Sequence, residues 1–418
     1  MLQLWFFANT ILWIFSIKPG GITFRLNIVL LILAGAVWLG KNQRIAVGSL
    51  KALFAFFVFA IFSFIVALTG PCTDHLQKSL LATPILMILV LMGLEAGRTA
   101  RNSDWLKLRK TASWALILAF LSFIIEMLRP AWFPNQERYR SKGELSGLFE
   151  EPSQAAFSLF PCIAVLLVSE DKKTRRIGIL ALVGLLVFSR SSTLIIFTVV
   201  WFLYRLIIQR KLRKAVIFVV SIGLIIALSS VINYDALLAP TVNRIVGVSQ
   251  TDASGNISSL VYIQGWQDAW NNLVRTHGLG LGLNMMGCSP LPNVSVRNIL
   301  ALQGLEDLNA EDGSFVFAKI VSEIGVLAVV FYIAVVWWWV RLEREIRLHG
   351  NDEGHSAATM QAALIFCFVT ASFLRGPGYY GGELLLWVAA VSGASKWRKK
   401  FLMKPANGPN TVIEVSDR

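Results

Sequence analysis

Charge, histidine and cysteine are all scarce in this chain of 418 residues. Only 15% of residues are charged, 55% are hydrophobic, and mean hydropathy is +0.62. Those values exclude the balance of an ordinary soluble domain. The four histidines are scattered, and neither CxxC nor HExxH occurs, so the sequence gives no support to a metal site. Cys162 and Cys367 lie within apolar runs and read as small core residues. Cys72 and Cys288 both fall in links on one side, where a disulfide is permitted, and spacing leaves their pairing open. The string Gly278-Leu279-Gly280-Leu281-Gly282 is not a dinucleotide fingerprint, because no strand precedes it; a turn ending the preceding helix suits it better. No convincing internal repeat is present. No small-residue cleavage site clearly follows the first apolar run, so that run is not read as a removable signal peptide.

What the chain does have is about a dozen long apolar segments. A hydrocarbon core about 30 Å thick takes roughly 20 apolar residues per helix, and lipid leaves no backbone group unpaired. The segments predict helical spans at 3–17, 22–40, 50–70, 79–97, 112–128, 153–169, 177–189, 192–208, 214–233, 314–340, 357–374 and 382–396. The expected fold class is therefore all-α and polytopic, with nine spans in 1–233, a large loop over 234–313, three more spans in 314–396, and a basic tail over 397–418.

Every second link is rich in Lys and Arg. That set holds Lys41, Arg44 and Lys51; Arg98, Arg101, Lys107, Arg109 and Lys110; Lys172, Lys173, Arg175 and Arg176; Arg205, Arg210, Lys211, Arg213 and Lys214; Arg341, Arg344 and Arg347; and the tail Lys396, Arg398, Lys399, Lys400 and Lys404. The positive-inside rule makes these cytoplasmic and puts both termini inside. The net charge of +14 is mostly this topology signal. Cations spread over many short loops do not make a nucleic-acid surface.

Two outer segments are long, 129–152 and 234–313. The second far exceeds an ordinary connection. Within it Ile257, Leu260, Val261, Trp266, Trp270, Leu273 and Val274 approximate helical spacing, and a shorter amphipathic stretch covers 294–308 with Val296, Ile299, Leu300 and Leu302. A capping subdomain and a lid over a substrate groove both fit. The outer side also carries Arg129, Arg138, Arg140, Arg190, Arg244, Arg275, Arg297 and Arg375. Most can be interface anchors, but Arg190 sits at the tip between two short spans, in Phe188-Ser189-Arg190-Ser191-Ser192. A cation at that depth needs a wet cavity or an anion, and guanidinium grips phosphate bidentately. A lipid-linked diphosphate carrying sugars is the phosphorylated partner that fits such a height. Glu144, Glu150 and Glu151 precede the sixth span, and Asp307, Glu311 and Asp312 the tenth. Helix capping accounts for Ser153 and Asp312, and Pro152 suits a first helical position. Glu151 could also orient an arginine, bind a sugar hydroxyl or act as a base. Lys319 and Glu323 are expected to pair within the tenth span.

Several of these elements resemble those of one family. Gly147-Leu148-Phe149-Glu150-Glu151-Pro152-Ser153 resembles the G-x-(F/Y)-x-E-P-S element of bacterial O-antigen and exopolysaccharide polymerases. The Ser189-Arg190 tip resembles the S-R hairpin that those polymerases share with O-antigen ligases. The large loop with its glycine string, Asp312-Gly313-Ser314-Phe315 and Ser322-Glu323-Ile324-Gly325 resembles their following span with its E-x-G turn. The resemblance covers roughly 140–340. Ligases usually have His-Asn just before that span, where Asp312-Gly313 stands here, which favours polymerase. Many members carry an arginine in the loop helix near the position of Tyr262; Arg244 or Arg275 would have to substitute.

The resemblance implies a GT-C-like, metal-independent membrane glycosyltransferase without cofactor. It would act on polyprenyl-diphosphate-linked oligosaccharides, such as undecaprenyl diphosphate carriers, at the periplasmic face of the bacterial inner membrane. Arg190, Glu151 and Asp312 would be catalytic. Arg140, Arg244, Arg275, Arg375, Gln154, Trp266 and Trp270 would bind substrate, with Tyr379 and Tyr380 as further aromatics. Membrane lipids are implied partners, a chain-length regulator protein is a candidate partner, and nucleic acid is not one. The competing readings are an O-antigen ligase acting on lipid A core and a non-enzymatic transporter or flippase of lipid-linked sugars.

Overall fold

The computed structural model describes residues 2–11, 16–17, 24–25, 33, 37, 40, 45–71, 74–132, 145–149, 151–189, 191–211, 213–214, 216–217, 257–289, 291–302, 304–305, 308–311, 313–348 and 354–402 except 375–381. Their regular secondary structure is helical, apart from one short antiparallel pairing of Ser16–Ile17 with Phe24–Arg25. Thirteen α-helices are described: α1 Leu2–Ile11, α2 Val47–Thr69, α3 Leu76–Thr99, α4 Asn102–Leu128, α5 Pro152–Leu167, α6 Lys172–Ser189, α7 Ser192–Ile208, α8 Ile257–Arg275, α9 Ser295–Ala301, α10 Val316–Ile324, α11 Val326–Leu348, α12 His355–Leu374 and α13 Gly382–Leu402. Five of them, α2, α3, α4, α11 and α12, are long and apolar enough to cross a membrane. The helices α5 and α7 are apolar and shorter.

The polarity of the bundle is that of a membrane protein. Phe54, Val58, Ile61, Ile65 and Leu68 on α2, Trp114, Ile117, Leu121 and Leu128 on α4, and Val330, Ile333 and Trp337 on α11 are all exposed. Glu95, Glu126, Glu323 and Glu343 are buried. Apolar surface of that extent has no place in water, and charged groups turned inward are what a lipid solvent demands. At the centre lies α5, buried on nearly every face from Ala155 to Leu166 and packed by α4, α6, α7 and α12. A helix apolar all round belongs in such a position. Phe160 stacks on Phe197 of α7 at 4.8 Å between ring centroids. Helix α13 lies along α3; a Cβ at Gly97 would sit 2.1 Å from the Ala389 carbonyl, so glycine sets that approach.

Several helices outrun their apolar segments. Helix α4 begins at Asn102 rather than near 112 because Asp104 accepts the Arg101 N–H at 3.0 Å. Helix α6 begins at Lys172 rather than 177 because Asp171 accepts the N–H groups of Lys173 and Thr174 at 3.2 and 2.9 Å. Lys and Arg are good helix formers, so the basic links become first turns. Helix α13 likewise runs to Leu402, and Lys396 donates to the Arg98 carbonyl at 2.8 Å.

Three expectations need correction. The predicted helical spans 3–17 and 22–40 do not reach Ser16–Ile17 and Phe24–Arg25, which pair as extended chain. Residues 314–340 are not one span: Gly325, at φ +69°, separates α10 from α11. The amphipathic stretch 294–308 is helical only over Ser295–Ala301. Most of the predicted span 214–233 lies outside the described residues. Cys288 is disulfide-bonded, Cys162 and Cys367 are free and buried, and Cys72, the remaining cysteine, lies outside the described residues.

Candidate functional site

Two sets of polar residues are built at this end of the bundle. The first surrounds the start of α5. Pro152 is its first helical residue and Glu151 its N-cap, so the Glu151 carboxyl stands at the positive end of the helix dipole. Glu151, not Ser153, holds the cap position, and no side-chain cap bond forms. The preceding turn is fixed from below. Glu126, fully buried on α4, accepts the N–H groups of Ser146 and Gly147 on one carboxylate oxygen, at 3.0 and 2.7 Å. Ser122 Oγ accepts the Leu148 N–H at 3.1 Å. The Leu145 N–H then donates to the Phe188 carbonyl at 3.0 Å, and Ser189 Oγ donates to the Pro152 carbonyl at 3.3 Å. The start of α5 and the turn between α6 and α7 are thereby joined, although 37 residues separate them in the chain. Ser189 and Ser191, on either side of position 190, are buried.

The second set lies on α8 and the chain after it. The turn expected at the glycine string is there: His277 and Gly278 N–H groups close α8 on the carbonyls of Val274 and Leu273, at 3.1 and 2.8 Å. Gly278, Gly280 and Gly282 all have positive φ. The string docks into the break at Gly325. Leu281 and Gly282 donate to the carbonyls of Ser322 and Glu323, each at 2.9 Å, and Val326 donates to the Gly278 carbonyl at 2.9 Å. The Glu323 carboxylate takes the N–H groups of Asn284 and Met286 on separate oxygens, at 2.8 and 3.2 Å. Both oxygens accept, so the group anchors two points of the loop at once. Lys319 donates to the Glu311 carbonyl at 2.6 Å and adds a favourable charge to Glu323. The pair expected within one helix is therefore an anchor for the loop. Lys78 of α3 pairs with Glu311, and that hydrogen bond holds the Glu311 carboxyl below its usual range against the opposing effect of burial.

Helix α8 has the expected period, but its buried face is not the aromatic one. Trp266 is 41% and Trp270 66% exposed. Turned inward instead are Gln264, Asp268 and Asn272, at i, i+4 and i+8, with exposures of 1, 3 and 2%. Asp268 pairs with Arg297 of α9 at 2.7 Å. Burial raises the Asp268 carboxyl above its ordinary value against the pull of that guanidinium. Burial likewise lowers the Arg275 guanidinium, and the Asp268 charge opposes it. Tyr262 stacks on Phe315 at 4.8 Å and donates from its hydroxyl to the Phe373 carbonyl at 3.1 Å. This residue fastens α8 to the end of α12.

The residues predicted from sequence thus fall into distinct groups. Glu151 and Gln154 stand at the start of α5, both half-buried. Trp266, Trp270 and Arg275 stand on α8. Arg190, Asp312, Arg140, Arg244 and Arg375 lie outside the described residues. Sequence reading missed Glu126, Gln264, Asp268 and Asn272. Glu126 had a signal: it is an acidic residue near the end of an apolar run. Among the described residues, no group of three or more His, Cys, Asp or Glu side chains could hold a metal ion. No protein-family model matches the chain, and no curated protein matches it.

Proposed function

We propose that this protein is a GT-C-like glycosyltransferase of about twelve spans that joins polyprenyl-diphosphate-linked repeat units into a surface polysaccharide, at the periplasmic face of a bacterial inner membrane. The observation that supports the reading is the junction of Ser189 with Pro152, which joins the end of α6 to the start of α5. The disulfide at Cys288 supports an oxidising compartment for the loop, and so supports the orientation read from the basic links.

In this reading the acceptor hydroxyl of one lipid-linked unit attacks the anomeric carbon of the other. The C–O bond to the diphosphate breaks, its electron pair leaves on the diphosphate oxygen, and the hydroxyl proton passes to Glu151. Arg190, on the residue between Ser189 and Ser191, stabilises the departing diphosphate, with Arg140, Arg244, Arg275 or Arg375 closing on it. Gln154, the third residue of α5, would bind substrate beside Glu151. Asp312 is the second candidate base. Holding two tethered substrates together supplies much of the remaining acceleration.

The transporter reading draws on one observation, the discontinuous helix at Gly325, since broken helices mark many transport sites. Here the glycine string hydrogen-bonds across the break, which favours the enzyme. Deletion in the source organism with gel analysis of the surface glycan tests the reading. A polymerase loss leaves single units on the core, a ligase loss leaves none, and a flippase loss traps intermediates inside. Arg190→Ala should abolish chain extension in a protein that still inserts, and Arg190→Lys should restore little of it. Normal long chains in Arg190→Ala would overturn the leaving-group role.

A further inference from the structure

The inner face of α8 carries more unpaired polarity than a packed interface tolerates. Gln264 Nε2 and Oε1, Asp268 Oδ1 and Asn272 Oδ1 are all buried with no hydrogen-bond partner. An orphaned buried polar atom is costly, and native structures hold few of them. Four on three successive turns of one helix face call for a missing partner. Their chemistry narrows what it is. Three of the four atoms accept and one donates. An anion would meet the Asp268 carboxylate and the two amide oxygens. A cation would meet Arg297, paired with Asp268 at 2.7 Å, and Arg275, whose charge also acts on Asp268. A neutral group that offers several donors and can also accept satisfies all four atoms, and clustered hydroxyls are such a group.

We infer that Gln264, Asp268 and Asn272 form a buried saccharide subsite on the face of α8 opposite Trp270. That the saccharide is a repeat unit rests on the proposed function; the existence of the site does not. The face is closed, so the sugar enters when α8 and α9 part. Their clasp combines the Asp268–Arg297 pair, the Gln267 amide on Ser295 Oγ at 3.0 Å and the Val296 N–H on Gln267 Oε1 at 3.3 Å with the apolar packing of Leu260 and Val261 on Val296 and Leu300. The clasp also gives Arg297 a role distinct from the interface anchor expected of an outer arginine.

The test uses Gln264→Met and Asn272→Leu in the full chain in detergent. Both keep volume and remove the orphaned atoms, so both should raise the thermal unfolding midpoint of the ligand-free protein. A lower midpoint in both variants would mean that water already satisfies the amides, and would overturn the site. Binding is read by saturation-transfer NMR, with oligosaccharides released by mild acid from the source organism's own surface glycan as the probe. Wild type and the exposed-face control Val274→Ser should show transfer, and the two site variants should lose at least tenfold in affinity. Undiminished transfer in the variants, or none to wild type, would overturn the saccharide assignment. The stability arm holds even if the deletion shows that the protein makes no glycan, so the two failures are distinguishable.

Discussion

Glu126 and Glu323 are buried carboxylates that each hold two backbone N–H groups, and they should respond very differently to the same substitution. At Glu126 both donors converge on one oxygen, at 3.0 and 2.7 Å. At Glu323 they use separate oxygens, at 2.8 and 3.2 Å. Glutamine has one accepting oxygen; its other terminal atom is a donor. Glu126→Gln can therefore keep both bonds, with the loss of their charge assistance costing about 1 kcal/mol for each. Glu323→Gln keeps one bond, loses the other, and turns an NH₂ group toward a buried N–H. Counting that bond at ~2 kcal/mol and the stranded donor at ~1–2 kcal/mol brings the cost to about 4–5 kcal/mol. Both variants are relieved of a buried charge, and Glu323→Gln also loses the attraction of Lys319, which acts in the same direction as the expected gap. The assay is amide hydrogen exchange in detergent at Ser146 and Gly147 against Asn284 and Met286. The expected gap of about 2–3 kcal/mol is ~30–150-fold in local opening. Equal loss of protection in the two variants would refute the argument from oxygen geometry.

Gly325→Ala places a Cβ 2.0 Å from the Gly278 carbonyl at a φ of +69°, so the glycine string should undock. The expected cost is at least ~2–3 kcal/mol from strain and overlap, read as a lower unfolding midpoint and as protease cleavage between 278 and 288. Tyr262→Phe keeps the stack on Phe315 and loses the bond to Phe373, for about 1 kcal/mol; a loss above ~3 kcal/mol would show that the hydroxyl does more. The Lys78–Glu311 pair should be pH-dependent. Its carboxyl titrates lower in the folded chain than in the unfolded one, so its contribution is present above about pH 4.5 and fades as pH falls through the folded value. Both side chains are partly exposed, which limits the effect to ~1 kcal/mol or less. Lys78→Met should be less stable than wild type at about pH 6, and the gap should narrow as pH falls into the acid range; a gap that does not narrow would refute the pairing.

Sequence alone determined the class of this protein and the position of most of its helices. Lipid is a uniform apolar solvent, so hydrophobic length translates directly into spans, and α2, α3, α5, α7 and α12 lie close to where the apolar runs put them. The turn at Gly278–Gly282 was legible for a comparable reason, because glycine alone takes those backbone angles without strain. Helix ends were less legible, since Asp104 and Asp171 extend α4 and α6 through their own basic links. Only the tertiary structure decided which side of α8 is inside. Its apolar residues marked a helical period, yet Gln264, Asp268 and Asn272 face inward while Trp270 faces out. Periodicity reports that a helix has two faces; which one is covered depends on the partners that close over it, here α9 and α10. The same holds for Glu126 and Glu323. A carboxylate in an apolar run signals a buried partner, but the backbone N–H groups it holds belong to segments 20 and 37–39 residues away, and no local pattern encodes that distance.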